Sequence, residues 1–129
     1  MVRKLITCGL SFIVLGIVLG AFAAHGLEQL KVSNEGVASF EVGVRYLIIN
    51  GLGLLLIAAL SNHFDFILKL HFRSIFWGTI IFSGSIFGLV LLPQLNITIN
   101  SFLGPITPIG GALMILGWFT LLIKYIRTA

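Results

Sequence analysis

An uncharged run of 20 residues near the start of the chain, Leu5–Ala24, limits the fold more than any other feature of the sequence. At about 1.5 Å rise per residue, a helix over this run crosses the roughly 30 Å hydrocarbon core of a bilayer. Only 9% of all residues are charged, against about 25% in a soluble domain. Such a chain cannot cover a water-facing surface, so the sequence predicts an integral membrane protein.

Three more apolar segments follow, and the sequence therefore predicts an all-α fold, a single four-helix transmembrane bundle over residues 1–129. Gly26 is expected to end the first helix just after His25. Ser33 is expected to cap a short interfacial helix that precedes the second span. The first run is longer than the 7–15-residue core of a signal peptide, which favours a retained span. The four predicted spans are Leu5–Ala24, Tyr46–Leu60, Ser74–Leu92 and Ile106–Ile126.

Basic residues lie at the ends of the apolar runs, which is the pattern of a membrane protein and not of a nucleic-acid-binding protein. Six of them fall on the side that holds both termini, and two, Lys31 and Arg45, fall on the other side. The positive-inside rule then predicts cytoplasmic termini and a multi-pass protein of the bacterial inner membrane. The six are Arg3, Lys4, Lys69, Arg73, Lys124 and Arg127.

Small residues form stripes on three of the predicted helices, and such stripes let helix backbones approach closely in lipid. We expect the stripe on the first helix to meet the stripe on the third within one chain. A seam between two copies of the chain, in a homo-oligomer, is the alternative. The glycines concerned are Gly16 and Gly20, then Gly78, Gly84 and Gly88, and Gly110 and Gly111 in the fourth helix.

One polar cluster is predicted at the boundary opposite the termini: His25, Glu41, Arg45, Tyr46 and Asn50. Glu41 and Arg45 have the i,i+4 spacing of a helix ion pair, and Arg45 is expected to reach the last carbonyls of the first helix near His25. Such a cluster either locks the first helix onto the second or forms a pocket for a lipid headgroup or other polar ligand. Membrane lipids are accordingly the expected partners.

The sequence contains no recognisable catalytic or cofactor motif. The three histidines are too scattered for a metal site, and the single cysteine, Cys8, can form no disulfide within the chain. No acidic residue lies in the middle of a span, which is unfavourable for a proton-coupled transporter. We therefore expect no metal, no cofactor and no enzymatic activity.

Four motifs in order carry a family resemblance: Gly20–Leu27, Phe40–Tyr46, Phe82–Ser85 and Gly104–Gly111. They resemble the small bacterial membrane proteins of the domain of unknown function 423 family, which is similar to the transmembrane protein 256 group. The resemblance implies a four-helix inner-membrane protein of unestablished activity. The chain departs from the family pattern at Asn50, where the family has His, and at Leu47, where it has Gln.

Three functions are compatible with these features. The first is a non-enzymatic protein that supports envelope integrity or binds lipid, because the motif residues are mostly small and structural. The second is a small channel or transporter, with Asn50, Thr79 and Ser83 lining a polar path. The third, an intramembrane enzyme or a quinone-linked accessory, rests on His25 alone.

Overall fold

The computed structural model describes residues 1–128, and within them every long element is an α-helix. The four long helices are α1 (Val2–Gln29), α2 (Asn34–Ala59), α3 (Lys69–Leu91) and α5 (Ile106–Thr128), and α4 is a single turn (Asn100–Leu103). All four are long and apolar enough to cross a membrane. The predicted all-α four-helix fold is confirmed.

Helix α1 runs past the point where the sequence predicted its end. Gly26 lies inside the helix, and the chain turns at Lys31, whose φ of 56° is left-handed. The Lys31 amide donates to the Glu28 carbonyl and the Val32 amide donates to the Leu27 carbonyl. These two bonds form a Schellman ending. The expectation that Gly26 ends the helix is therefore wrong, because a left-handed lysine performs that role five residues later.

Helix α2 begins where predicted, with the Ser33 hydroxyl accepting a 3.1 Å hydrogen bond from the Gly36 amide. It then continues without a break to Ala59. The interfacial segment that precedes the predicted second span is thus the first part of α2 and not a separate helix.

Helices α1 and α2 form a tight antiparallel pair through glycine. A Cβ on Gly9 would lie 2.8 Å from the Gly51 carbonyl oxygen, and a Cβ on Gly51 would lie 2.8 Å from that of Gly9. A Cβ on Gly16 would collide with the Ile48 side chain, and one on Gly20 would lie 3.3 Å from Val44. The small-residue stripe of α1 therefore packs on α2.

Helices α3 and α5 form the second tight pair in the same way. A Cβ on Gly78 would lie 2.6 Å from the Met114 amide nitrogen, and one on Gly110 would collide with the Phe82 backbone. The predicted contact between the glycine stripe of the first helix and that of the third is wrong. Gly16 and Gly20 of α1 face α2, and Gly78 of α3 faces α5. A Cβ on Gly84 would meet nothing within 4 Å, and a Cβ on Gly88 would meet Leu103.

The two pairs meet mainly through large side chains and a few hydrogen bonds. The Phe40 and Phe87 rings lie 4.7 Å apart between α2 and α3, and those of Phe12 and Phe76 stack at 5.4 Å between α1 and α3. The buried Ser83 hydroxyl donates to the Gly43 carbonyl at 2.8 Å. At Gly43 of α2 a Cβ would meet the Phe87 ring, whereas a Cβ on Gly9 or Gly110 would meet the backbone of the partner helix.

Apolar side chains cover much of the outside of the bundle, as expected when the solvent is hydrocarbon. Examples are Ile17, Leu52, Ile115 and Phe119, each more than half exposed. The bundle has two ends: the terminal end comprises residues 1–5, 61–73 and 124–128, and the loop end comprises residues 30–33 and 92–105.

Candidate functional site

The structure does not gather the five residues of the predicted polar cluster into one pocket. His25, Glu41, Arg45 and Tyr46 are exposed, whereas Asn50 is buried. Glu41 lines a cavity of about 280 Å³ at the loop end, beside Glu28 and Ala24. Tyr46 and Asn50 line a different cavity deeper along α2.

The structure contradicts the assumption behind the role predicted for Arg45 at the end of α1. That role required unpaired carbonyls near His25, but α1 is still helical there. Where the helix does end, the carbonyls of Gly26, Leu27 and Glu28 accept backbone bonds. No guanidinium is needed to satisfy them.

Asn50 instead links α2 to α5 at the level of the predicted spans. Its side-chain nitrogen donates to the Tyr46 carbonyl at 2.9 Å and to the Met114 sulfur at 3.1 Å. Its side-chain oxygen accepts a 2.8 Å hydrogen bond from the Trp118 indole nitrogen. With 2% of its surface exposed, Asn50 is an almost fully satisfied polar group in an apolar interior.

An open groove of about 540 Å³ lies over this hydrogen-bonded group, between α2, α3 and α5. The Tyr46 ring packs edge-on against Phe82 at one wall, with ring centroids 5.1 Å apart. Gly111 leaves space in the groove, since a Cβ there would only reach ordinary contact with Phe82 at 3.6 Å. The other lining residues are Ile49, Asn50, Met114, Ile115, Trp118, Phe119 and Leu122.

The chemistry of the groove is that of a hydrocarbon-binding surface. Both amide hydrogens of Asn50 and the Trp118 N–H are already used within the protein, so the floor offers few free donors to a ligand. Nearly all of the remaining lining is aliphatic or aromatic. A polar headgroup would lose its own hydration there without gaining partners.

The polar side chains of α3 do not form a path beside Asn50. The Thr79 hydroxyl donates to the Ile75 carbonyl at 2.7 Å within its own helix, and that of Ser83 donates to Gly43. Both side chains are buried. Within residues 1–128, no group of three His, Cys, Asp or Glu side chains could hold a metal ion.

Trp118 and Met114 are the partners of Asn50 and the groove residues that sequence reasoning missed. The sequence indicates Trp118 only as a marker of the membrane exit of the fourth helix, and Met114 only as an apolar residue. Met114 and Trp118 lie 64 and 68 residues after Asn50 in the sequence. No spacing rule within one helix could reveal that contact, although a lone Asn in an apolar run does indicate an interhelical partner.

The fold and its apolar exterior define the class of the molecule, a four-helix integral membrane protein. The chain belongs to the family described as "Protein of unknown function (DUF423)", which matches residues 19–111. The family resemblance drawn from the four motifs is thereby confirmed.

Curated relatives named UPF0382 membrane protein occur in bacteria and in yeast. One from Staphylococcus epidermidis is 40% identical over 110 residues, covering 85% of this chain and 84% of the relative. YwdK of Bacillus subtilis is 33% identical, with 90% and 96% covered. A Schizosaccharomyces pombe relative is also 33% identical, with 84% and 90% covered. No solved structure matches the chain.

Proposed function

We propose that this protein is a non-enzymatic lipid-binding membrane protein that holds an acyl chain in the groove over Asn50 and thereby supports envelope integrity. The groove itself carries the proposal: about 540 Å³ of apolar space, open on a flank of the bundle. Its exposed walls, Ile115 and Phe119, belong to the apolar exterior. An acyl chain could therefore enter sideways from the bilayer.

The affinity for such a chain would come from shape. Lipid tails are as apolar as the groove, so burial in it brings no hydrophobic gain. Close contact with the rings of Tyr46, Phe82 and Trp118 supplies dispersion energy to an acyl chain in the groove. The fluid lipid tails of the bilayer pack less closely around such a chain and supply less of this energy. We therefore expect the groove to retain one kind of lipid selectively and with modest affinity.

The proposal includes a bacterial inner-membrane location with both termini cytoplasmic. Six basic residues at the terminal end against two on the other side support this orientation, because basic residues are retained on the cytoplasmic side.

Photocrosslinking tests the groove directly. The full chain is reconstituted with a phospholipid that carries a diazirine midway along one acyl chain, and labelled peptides are mapped by mass spectrometry. We expect labelling of Ile49 and Ile115 to exceed that of Ile17 and Val18, which are equally lipid-facing residues of α1. The α1 residues measure contact with bulk lipid.

A filled groove provides the matched comparison. Gly111→Leu places a side chain in the groove, whereas Gly84→Leu adds the same side chain where nothing lies within 4 Å. The excess labelling should disappear in the first variant and persist in the second, at similar thermal stability. Equal labelling of the groove and of α1 in the wild-type protein would refute acyl-chain binding.

A further inference from the structure

A second cavity lies at the terminal end, between the start of α3 and the end of α5. Its volume is about 290 Å³. We call it the basic cleft, because two of its lining residues are cations and none is acidic. The lining residues are His71, Phe119, Thr120, Ile123, Lys124 and Arg127.

A partly buried hydrogen bond gives the cleft a polar wall. The His71 side chain, only 8% exposed, has its Nδ1 3.0 Å from the Thr120 hydroxyl oxygen. That hydroxyl lies 2.6 Å from the Leu116 carbonyl, to which it donates its only hydrogen. The Thr120 hydroxyl is thus bonded both to the His71 imidazole and to a carbonyl of its own helix.

The second ring nitrogen of His71 is not fully enclosed by the protein. No buried side-chain nitrogen or oxygen within residues 1–128 lacks a hydrogen-bond partner. Since Nδ1 makes the bond to Thr120, Nε2 is not fully enclosed, and His71 lines the cleft. The Thr120 bond thus fixes the position of an imidazole that borders the cleft.

The charge of this region selects an anion. Lys124 and Arg127 are both exposed, and they lie three residues apart, so they share one face of α5. Asp65 is the only acidic residue at the terminal end, beside six basic ones. An ammonium group and a guanidinium group together suit the oxygens of a phosphate.

The depth of the cleft indicates that this phosphate belongs to a lipid. Phe119 lies eight residues before Arg127, about 12 Å deeper at the rise of a helix. It lines both the basic cleft and the apolar groove. A ligand that fits is charged at one end and apolar for the rest of its length, as a phospholipid is.

We propose that the basic cleft binds the phosphate of an anionic phospholipid, with Lys124 and Arg127 as the phosphate ligands and His71 as a third contact. This inference deepens the proposed function, on which it rests, because it names the headgroup class of the bound lipid. Basic pockets at the cytoplasmic ends of transmembrane helices are established sites for anionic headgroups.

The test measures which lipid the protein retains. The full chain is purified in detergent with equal amounts of phosphatidylglycerol and phosphatidylcholine, and the retained lipids are counted by native mass spectrometry. We expect phosphatidylglycerol to be preferred in the wild-type protein. Replacing both cations, as Lys124→Gln with Arg127→Gln, should lower that preference about thirtyfold, since each cation beside the headgroup contributes about 1 kcal/mol toward anionic lipid and about 1.4 kcal/mol is tenfold.

A charge-matched variant separates a site from general attraction. Lys69→Gln with Arg73→Gln removes two exposed cations from the same end without changing a residue that lines the cleft. This control should keep the wild-type preference. An equal loss of preference in both double variants would overturn the proposal, because the whole terminal end would then act as one diffuse charge.

The remaining outcomes distinguish the two proposals and the two sources of phosphate. Phosphatidylcholine also carries a phosphate but is neutral overall, so retention of both lipids without preference would refute the selection of an anionic headgroup and leave acyl-chain binding intact. Retention of neither would refute both. Displacement of phosphatidylglycerol by inorganic phosphate at the same concentration would show that the cleft binds free phosphate and would overturn its assignment to a lipid.

Discussion

Replacing Gly110 by alanine should force α3 and α5 apart. The new Cβ would collide with the Phe82 backbone nitrogen and lie 2.8 Å from the Phe82 Cα, whereas ordinary contact begins at 3.4 Å. The backbone of Phe82 cannot rotate away as a side-chain tip can. The two helices must therefore separate by at least about 0.6 Å, and a gap of 0.5–1 Å already loses a quarter to a half of each dispersion contact.

Overpacking of this kind costs about 1–3 kcal/mol, but alanine also gains about 1 kcal/mol over glycine in helix propensity. Gly111→Ala separates the two effects, because the neighbouring residue gains the same propensity and its Cβ meets only the Phe82 ring, at 3.6 Å. We therefore expect the Gly111→Ala protein to be more stable than the Gly110→Ala protein by about 1–3 kcal/mol.

Unfolding in mixed micelles, with a rising fraction of sodium dodecyl sulfate and circular dichroism as the signal, measures this difference. The wild-type protein is the reference for both variants. Equal unfolding midpoints for Gly110→Ala and Gly111→Ala would refute the close approach of α3 and α5 at this position.

Three further changes test other parts of the structure. Trp118→Phe removes the donor to Asn50 and should destabilise the bundle by about 0.6–1.7 kcal/mol, the average and the largest values for interhelical hydrogen bonds in membranes. The same micelle titration measures this loss, and an unchanged midpoint would mean that the bond does not form. Lys31→Gly should raise stability by up to about 1 kcal/mol, because glycine adopts the left-handed turn without strain, and a lower midpoint would contradict the Schellman ending. In intact bacterial cells expressing a cysteine at Asn34 or at Asn62, an impermeant thiol reagent should label only position 34, and the reverse pattern would overturn the proposed orientation.

The number and nature of the helices could be predicted because hydrocarbon solvent imposes a strong and local rule. Every backbone group in a bilayer must be satisfied within the span, so a long uncharged run becomes a helix. The exact ends depend on subtler bonds. Ser33 was recognisable as a cap from its residue type, whereas a lysine in the left-handed region at position 31 carries no comparable signal.

The glycine stripes were visible from their spacing, but the partner of each stripe was not. Helical periodicity shows that Gly16 and Gly20 share a face, and it contains no information on which helix covers that face. The structure pairs α1 with α2 and α3 with α5. In both pairs the partners follow one another among the long helices of the chain, and consecutive elements are usually adjacent in space.

The candidate sites could be predicted only in part. Tyr46 and Asn50 do line a cavity, yet the groove also depends on Trp118 and Met114 from α5. The bond between His71 and Thr120 likewise joins residues 49 positions apart. Such contacts form only when helices distant in sequence meet, so a single sequence cannot reveal them.

The pairing of neighbouring helices has a consequence for how the molecule is made. Helices α1 and α2 are connected by four residues, Leu30–Ser33, and their glycine contacts need nothing from the second half of the chain. This hairpin can form while α3 is still being synthesised. Contacts between sequence neighbours close short loops, which favours fast assembly. The aromatic interface between the pairs, and the groove beside it, would then be the last part of the bundle to form.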